Sequence, residues 1–362
     1  MLLERRNLTV EIIQYWARVP TLHTDPLWQR ATALWAGITA HLPDLAPAVA
    51  LQQRLVRLTL DATSALADTP LLALEPASIL GKWQKGLPLL RNEVIPIPPG
   101  LKDILRPICT ALADAGAGDS ALHIGAAIAA QTIDADSLLG VSLARNQKAI
   151  RTSALHMGFS PDLVWLVGEL GSAPLAYHLS AGLKASTTRA MRQVGDARSA
   201  SLQVGDARSA SLQAGDPRSA SLQAGDFRSA DLQVGRHWHR GYCPFCGSWP
   251  AFIEAHGGTR ALRCSYCALE WALASNGCVY CGNAGSDFVA AAPDVQQPQR
   301  RVELCGQCSG YTKVIDVDDP TPFPLLAIED LATVGLDQGA MDRGYRRPEL
   351  FDLDTIEPRT SC

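Results

Sequence analysis

Apolar side chains recur at helical spacing through the first half of the chain. Leu51, Leu55, Leu58 and Ala62 fall three or four residues apart, and Val49, Val56 and Leu60 widen the same face. That spacing predicts a helix within 47–71. Alanine is abundant over 111–130, which favours helix. Ser160-Pro161-Asp162, ahead of the apolar run 163–170, reads as a helix start, with Ser160 as cap and Pro161 in the first turn, where a missing N–H costs nothing. Pro96, Pro98, Pro99 and Gly100 interrupt the pattern. No strand-like alternation is sustained. Residues 1–190 are therefore expected to form a helical bundle with Pro-rich connections. Trp16, Trp28, Trp35, Trp83 and Trp165 are read as core or half-buried packing rather than a peptide groove. His23, His41, His123, His156 and His178 show no paired spacing and are read as ordinary histidines.

A decapeptide then repeats. Residues 193–202 and 203–212 both read QVGDARSASL, 213–222 read QAGDPRSASL and 223–232 read QAGDFRSADL. Ten residues advance a helix by about 1,000°, so the recurring leucines would not share a stripe. One large apolar residue per unit is too little for a solenoid core. The segment 191–236 is expected to be a linker that tethers two domains loosely.

Length and charge narrow the picture further. At roughly 150 residues per domain, 362 residues suggest two or three domains. With 47% apolar and 19% charged residues the chain can bury real cores. No apolar run is long enough to span a membrane, and the start lacks the marks of a secretory signal, so a cytoplasmic location is expected. Residues 1–239 hold 22 basic and 20 acidic side chains, while 240–362 hold 10 and 16. Nothing resembles a basic patch built to neutralise phosphates, so no nucleic-acid partner is expected.

Cysteine carries the chemistry. Eight of the ten cysteines lie in four Cys-x-x-Cys pairs: Cys243 and Cys246, Cys264 and Cys267, Cys278 and Cys281, Cys305 and Cys308. Cys109 and Cys362 stand apart. A reducing compartment disfavours a disulfide framework, and clustered thiols there point to metal. Two cysteines three apart on a tight turn aim both sulfurs at one ion, and two such turns complete a tetrahedral four-thiolate set. Gly247 and Gly282, each after a second cysteine, permit the positive φ such turns need. The simplest pairing is sequential, with two modules at 237–272 and 273–320, each two turns joined by strands as in a zinc ribbon or rubredoxin. A cross-braced pairing, first turn with third, stays open. Two metal ions per chain, iron or zinc, are expected. Sets closed by four protein ligands leave no coordination position for substrate water, which argues against an enzyme. His237, His239 and His256 lie close by and are read as exposed or supporting residues rather than ligands.

The cysteine half resembles a known family. The runs CPFCGSWP at 243–250, ALRCSYCALEW at 261–271, GCVYCGN at 277–283 and ELCGQCSGYTKV at 303–314 are similar to the formate dehydrogenase accessory proteins, FdhE. So is the tail, from Asp318-Asp319-Pro320 into PLLAIEDLATVGLDQGAMDRGYRRPEL at 324–350. In the helical half Trp83 and the helix after Pro161 are the best anchors. The resemblance implies an N-terminal helical domain, two rubredoxin-like modules holding iron or zinc, and a C-terminal helix with tail at 321–362. It implies an accessory protein that acts in the cytoplasm on the catalytic subunit of a respiratory formate dehydrogenase. Such subunits carry molybdenum cofactor and an iron–sulfur cluster and leave folded by the twin-arginine route. The decapeptide repeat stands where that family has a short linker.

The fold expected is thus multi-domain: a helical bundle, two small four-cysteine β modules and a terminal helix. Two other functions stay open. One is a rubredoxin-like iron protein passing electrons during metalloenzyme maturation; the other, less favoured by the acidic C-terminal part, is a nucleic-acid-binding zinc ribbon. Turn residues Phe245, Tyr266, Tyr280 and Gln307 are expected to face a client or a neighbouring module, unless the aromatics among them pack against the helical half, an alternative that stays equally open. A linker reading of the repeat predicts that deleting residues 203–222 leaves folding and metal content unchanged, because loop length costs stability only logarithmically. A large drop in the urea midpoint of that deletion would show that the repeat packs against a domain.

Overall fold

A computed structural model describes residues 26–69, 76–202, 238–272, 276–291 and 297–348. Copies of the repeat beyond residue 202, Trp16, His23, His237 and the end of the tail lie outside the described residues.

The first part is helical: α1 Pro26–His41, α2 Ala46–Ala65, α3 Pro76–Gln84, α4 Leu105–Leu112, α5 Gly118–Ala129, α6 Ala135–Leu143, α7 Gln147–His156 and α8 Pro161–Leu202. The periodic stretch around Leu51 is α2, and α8 starts at Pro161 as its proline predicts. α8 continues through the first decapeptide copy to Leu202. The alanine-rich stretch is two helices, split by a wide turn at Ala113–Ala117 in which Gly116 adopts φ 113°. Short polar side chains start two others. Asp134 accepts the Ser137 N–H at α6, and Asn146 accepts the Ala149 N–H at α7. Glycine lets α8 lie close to its neighbours: a Cβ at Gly168 would stand 2.2 Å from Ser142 Oγ. Trp35, Trp83 and Trp165 are buried, as core packing requires.

The second part is one sheet. Strands β1 Pro250–His256, β2 Thr259–Cys264, β3 Glu270–Ala272, β4 Phe288–Ala290, β5 Arg300–Cys305 and β6 Gly310–Asp316 lie in the order β3-β2-β1-β6-β5-β4. Each cysteine module supplies three antiparallel strands. The modules join through a parallel pair, with Ile253 opposite Val314 and Ala255 opposite Asp316. Two separate modules were expected; main-chain hydrogen bonding across this seam makes them one layer. The expected C-terminal helix is two, α9 Phe323–Ala332 and α10 Val334–Met341. They part at Thr333, whose hydroxyl turns back onto the Glu329 and Asp330 carbonyls at 2.8 and 3.1 Å.

The halves are not loosely tethered, contrary to the expectation from the repeat. One continuous apolar core holds Leu89, Trp83, Trp165 and Leu175 from the helices with Trp238, Phe245, Tyr266 and Trp271 from the sheet. Main-chain bonds cross the boundary: Leu89 N donates to Pro244 O and Leu90 N to Phe245 O, both at 2.9 Å. Tyr242 donates its hydroxyl to Gly86 O at 2.7 Å. A module of about 35 residues cannot bury enough surface alone, so it borrows the helical face.

Trp83 is 2% exposed and donates its indole N–H to Pro244 O at 3.2 Å. Trp83→Ala should cost about 3–5 kcal/mol and lower the unfolding of helices and sheet together, read by circular dichroism and near-ultraviolet signals in one urea titration. A transition confined to the helices would show that the halves unfold independently.

Candidate metal centres

All eight turn cysteines come together as two sets of four, with sulfurs within 4.8 Å of one another in each. The first holds Cys243, Cys246, Cys264 and Cys267; the second holds Cys278, Cys281, Cys305 and Cys308. This is the sequential pairing, and the cross-braced alternative is excluded. Cys109 is buried among helices, away from both.

Each pair sits on a turn closed by its own backbone. Gly247 N donates to Cys243 O and Gly282 N to Cys278 O, while Cys243 N reaches Ser248 O and Cys278 N reaches Asn283 O. The residue after the second cysteine takes a left-handed conformation in all four turns: Gly247 at φ 86°, Ala268 at 57°, Gly282 at 78° and Ser309 at 54°. Glycine marked two of these turns in the sequence. At Ala268 and Ser309 nothing in the residue type announced the conformation.

The sulfur geometry fits one tetrahedral ion per set. Cys243–Cys267 and Cys246–Cys264 are 3.6 and 3.5 Å apart. Cys278–Cys308 and Cys281–Cys305 are both 3.7 Å apart. Metal–sulfur bonds of about 2.3 Å in a tetrahedron put neighbouring sulfurs about 3.8 Å apart. Supporting donors are in place. The Tyr266 and Cys267 N–H groups each lie 3.4 Å from Cys264 Sγ, and Asn283 Nδ2 lies 3.8 Å from Cys305 Sγ. Ser248 Oγ stands 3.4 Å from Cys246 Sγ.

Burial opposes ionisation at Cys243 and Cys267 and holds both well above the usual thiol range. At Cys246 burial is outweighed by hydrogen bonds from the other three sulfurs and by Arg145, so that thiol lies well below it. In the second set, burial at Cys305 is outweighed by the Cys308 N–H, Asn283, Cys281 and the Gln307 N–H, pulling it down to about 7. In each set, then, one thiol is held down by neighbouring donors while burial holds others up, Cys308 to about 11 and Cys278 higher still.

Arg145 was not foreseen as part of this site. It leaves the end of α6 with its side chain 3% exposed, paired with Glu169 at 2.6 Å and lying over the rings of Trp165 and Tyr266 at 4.8 and 4.1 Å. A buried arginine on the helical side therefore faces the thiolates of the sheet. Sequence offered no signal for it, because the contact spans about a hundred residues.

Phe245 and Tyr266 are 1% and 3% exposed, so of the two alternatives left open they take packing against the helical half. Their turns point into the helical layer, and Tyr266 donates its hydroxyl to Ser172 Oγ at 2.6 Å. Tyr280 instead joins the modules. It meets Trp249 edge-on at 4.9 Å and donates to Tyr311 O at 2.9 Å. Gln307 is exposed, as expected. His239 and His256 are exposed, and neither belongs to a cluster.

No family model matches the chain. A curated relative from Aquifex aeolicus (strain VF5), "Protein FdhE homolog", is 36% identical over 118 residues, 31% of this chain and 41% of the relative. One of the same description from Shewanella baltica (strain OS185) is 35% identical over 115 residues, 31% of this chain and 38% of the relative. The similarity to these two FdhE homologs is confined to about 31% of this chain. It spans about two fifths of the length of those FdhE relatives. The crystal structure of the FdhE protein from Pseudomonas aeruginosa is 20% identical, with a TM-score of 0.44 over 89% of this chain and 92% of that one.

The left-handed turns generate a test. Ser309 is exposed and holds φ 54° without a glycine. Ser309→Gly should raise the stability of the metal-loaded chain by about 0.5–1 kcal/mol in a urea titration, with metal content unchanged. A destabilised variant would mean that the Ser309 side chain matters more than its backbone.

Proposed function

We propose that the chain is an accessory factor for a formate dehydrogenase, binding its catalytic subunit in the cytoplasm before export and taking no part in catalysis. One observation carries this reading: four ordered Cys-x-x-Cys turns that fold into two closed thiolate sets, in a chain with 36% identity over 118 residues to an FdhE homolog. Closed sets suit the non-enzymatic part of the reading, since four protein ligands leave an ion no open position. Iron and zinc both suit four thiolates, and the metal in each set belongs to the proposal. No helix among the described residues is long and apolar enough to cross a membrane, which agrees with a factor that meets its client before export.

The client cannot be held by Phe245 and Tyr266, which are buried against helices. The helical half offers another surface. A groove of about 1150 Å³ is lined by Arg54, Arg57, Lys102 and Arg106 together with Asp61 and Asp103. Side chains of both signs suit polar segments of a folded protein better than an apolar peptide.

The test is twofold. Affinity-tagged chain, expressed in its native host, should capture a formate dehydrogenase catalytic subunit, identified by mass spectrometry. Deleting the gene should abolish formate-dependent dye reduction, and the wild-type chain should restore it. Full formate dehydrogenase activity in the deletion strain would overturn the reading.

A further inference from the structure

The two centres share ligand chemistry but not surroundings. In the first set every cysteine is 2% exposed or less. Both of its turns are held under the helical layer. Leu89 N and Leu90 N bond the Cys243–Cys246 turn at Pro244 O and Phe245 O, and Ser180 Oγ donates to Cys267 O at 2.7 Å. Tyr266, between Cys264 and Cys267, is tied to Ser172. An external ligand reaches these sulfurs only after helices and sheet separate.

The second set lies at the far end of the sheet, on turns flanking β4 and β5. Cys278 and Cys305 are buried, Cys281 is half-buried and Cys308 is exposed. The whole turn around Cys308 is open, since Gly306, Gln307 and Ser309 are exposed as well. Tyr280 covers only the inner side, where a Cβ added to Gly310 would meet its ring at 2.6 Å and Cys308 Sγ at 3.1 Å. One ligand of this centre therefore faces solvent while the other three anchor it.

We infer that the second centre exchanges its metal through Cys308 and that the first is a permanent structural centre. An incoming soft donor, such as a thiol or a chelating nitrogen ligand, bonds to the ion on the Cys308 side. The metal–Cys308 sulfur bond breaks as the new bond forms. With a thiol, its proton passes to the Cys308 sulfur as that sulfur leaves the ion; with a neutral nitrogen donor, the departing Cys308 sulfur takes its proton from solvent. The ion keeps its charge and no electron moves. Cys281, next in exposure, is the second ligand to leave. Exposed ligands open by small local motions, whereas the first centre opens only with the docking interface, and local and sub-global openings differ widely in free energy. The inference rests on the two sets holding metal and is independent of the client.

The full-length chain loaded with zinc, with two ions per chain confirmed by elemental analysis, is mixed with excess 4-(2-pyridylazo)resorcinol and followed by absorbance. One equivalent should leave fast and the other at least about a hundredfold more slowly. Cys308→Ser should lack the fast equivalent and keep the slow one. Ser180→Ala combined with Tyr266→Phe, which cuts two ties between the first centre and α8, should speed the slow phase several-fold and leave the fast phase unchanged. This second arm reads the same partition even where Cys308→Ser folds poorly. Both ions leaving in a single phase, or Cys308→Ser losing the slow equivalent, would overturn the partition. A chain that takes up no zinc would overturn the metal reading itself.

Discussion

Four thiolates gathered where water does not reach are costly unless opposing charge and hydrogen-bond donors meet them. The first cysteine cluster sits under that constraint, and the rest of the structure is arranged to satisfy it. Its own turns supply the Tyr266 and Cys267 N–H groups. The helical half supplies the charge. Arg145, held by Glu169 and flanked by Trp165 and Tyr266, stands on the far side of the boundary from the cysteines it steadies. The same boundary carries Leu89, Leu90 and Trp83 onto the first turn. Docking the halves and building the centre are therefore a single event. Folding of the helices and binding of the first ion should be coupled to a degree that a flexible link between them would not suggest.

Buried ion pairs fix the register of the sheet and its tail. Glu254 on β1 pairs with Arg263 on β2, and both grip Thr321: Arg263 donates to its carbonyl at 2.7 Å and Glu254 accepts its N–H at 3.0 Å. Farther along, Lys313 is fully buried between Asp330 and Asp337, at 2.6 and 2.7 Å. Arg347 reaches the same two carboxylates. Burial opposes the Asp330 charge but is outweighed by Lys313 and Arg347, so its carboxyl stays below the ordinary range. Such pairs add little net stability, yet removing one partner strands a buried charge at about 3–5 kcal/mol. Their value lies in selecting one arrangement: α9 and α10 seat where Lys313 finds its two carboxylates.

The grouping of the eight cysteines into two sets of four was legible in the sequence because a Cys-x-x-Cys turn is a local object. Spacing alone aims two sulfurs at one ion, and the loops between turns favour neighbours as partners. The helices were legible for a similar reason, since Leu51, Leu55 and Leu58 report a local period and Pro161 a local start. What stayed hidden was tertiary. Nothing at Phe245 or Tyr266 distinguishes an aromatic displayed on a turn from one inserted into a helical layer. Arg145 reads as one more polar residue at the end of a helix. The parallel pairing of β1 with β6 joins segments about sixty residues apart, and no periodicity records it. Ala268 and Ser309 hide a left-handed backbone because the turn imposes it against residue preference.

Identical spacing in the two modules thus produced unlike centres, and the difference comes from what each turn is packed against. The first module spends its aromatic turn residues on the helices, which seals the sulfurs and recruits Arg145. The second has Tyr280, which turns inward to Trp249 and Tyr311, and Gln307, which covers nothing. A residue between paired cysteines therefore acts as the lid of its own centre, or fails to. Aromatic residues at such positions close a site only when a second layer stands over them. In this chain that layer is the helical half, and it reaches one centre and leaves the other at the open end of the sheet.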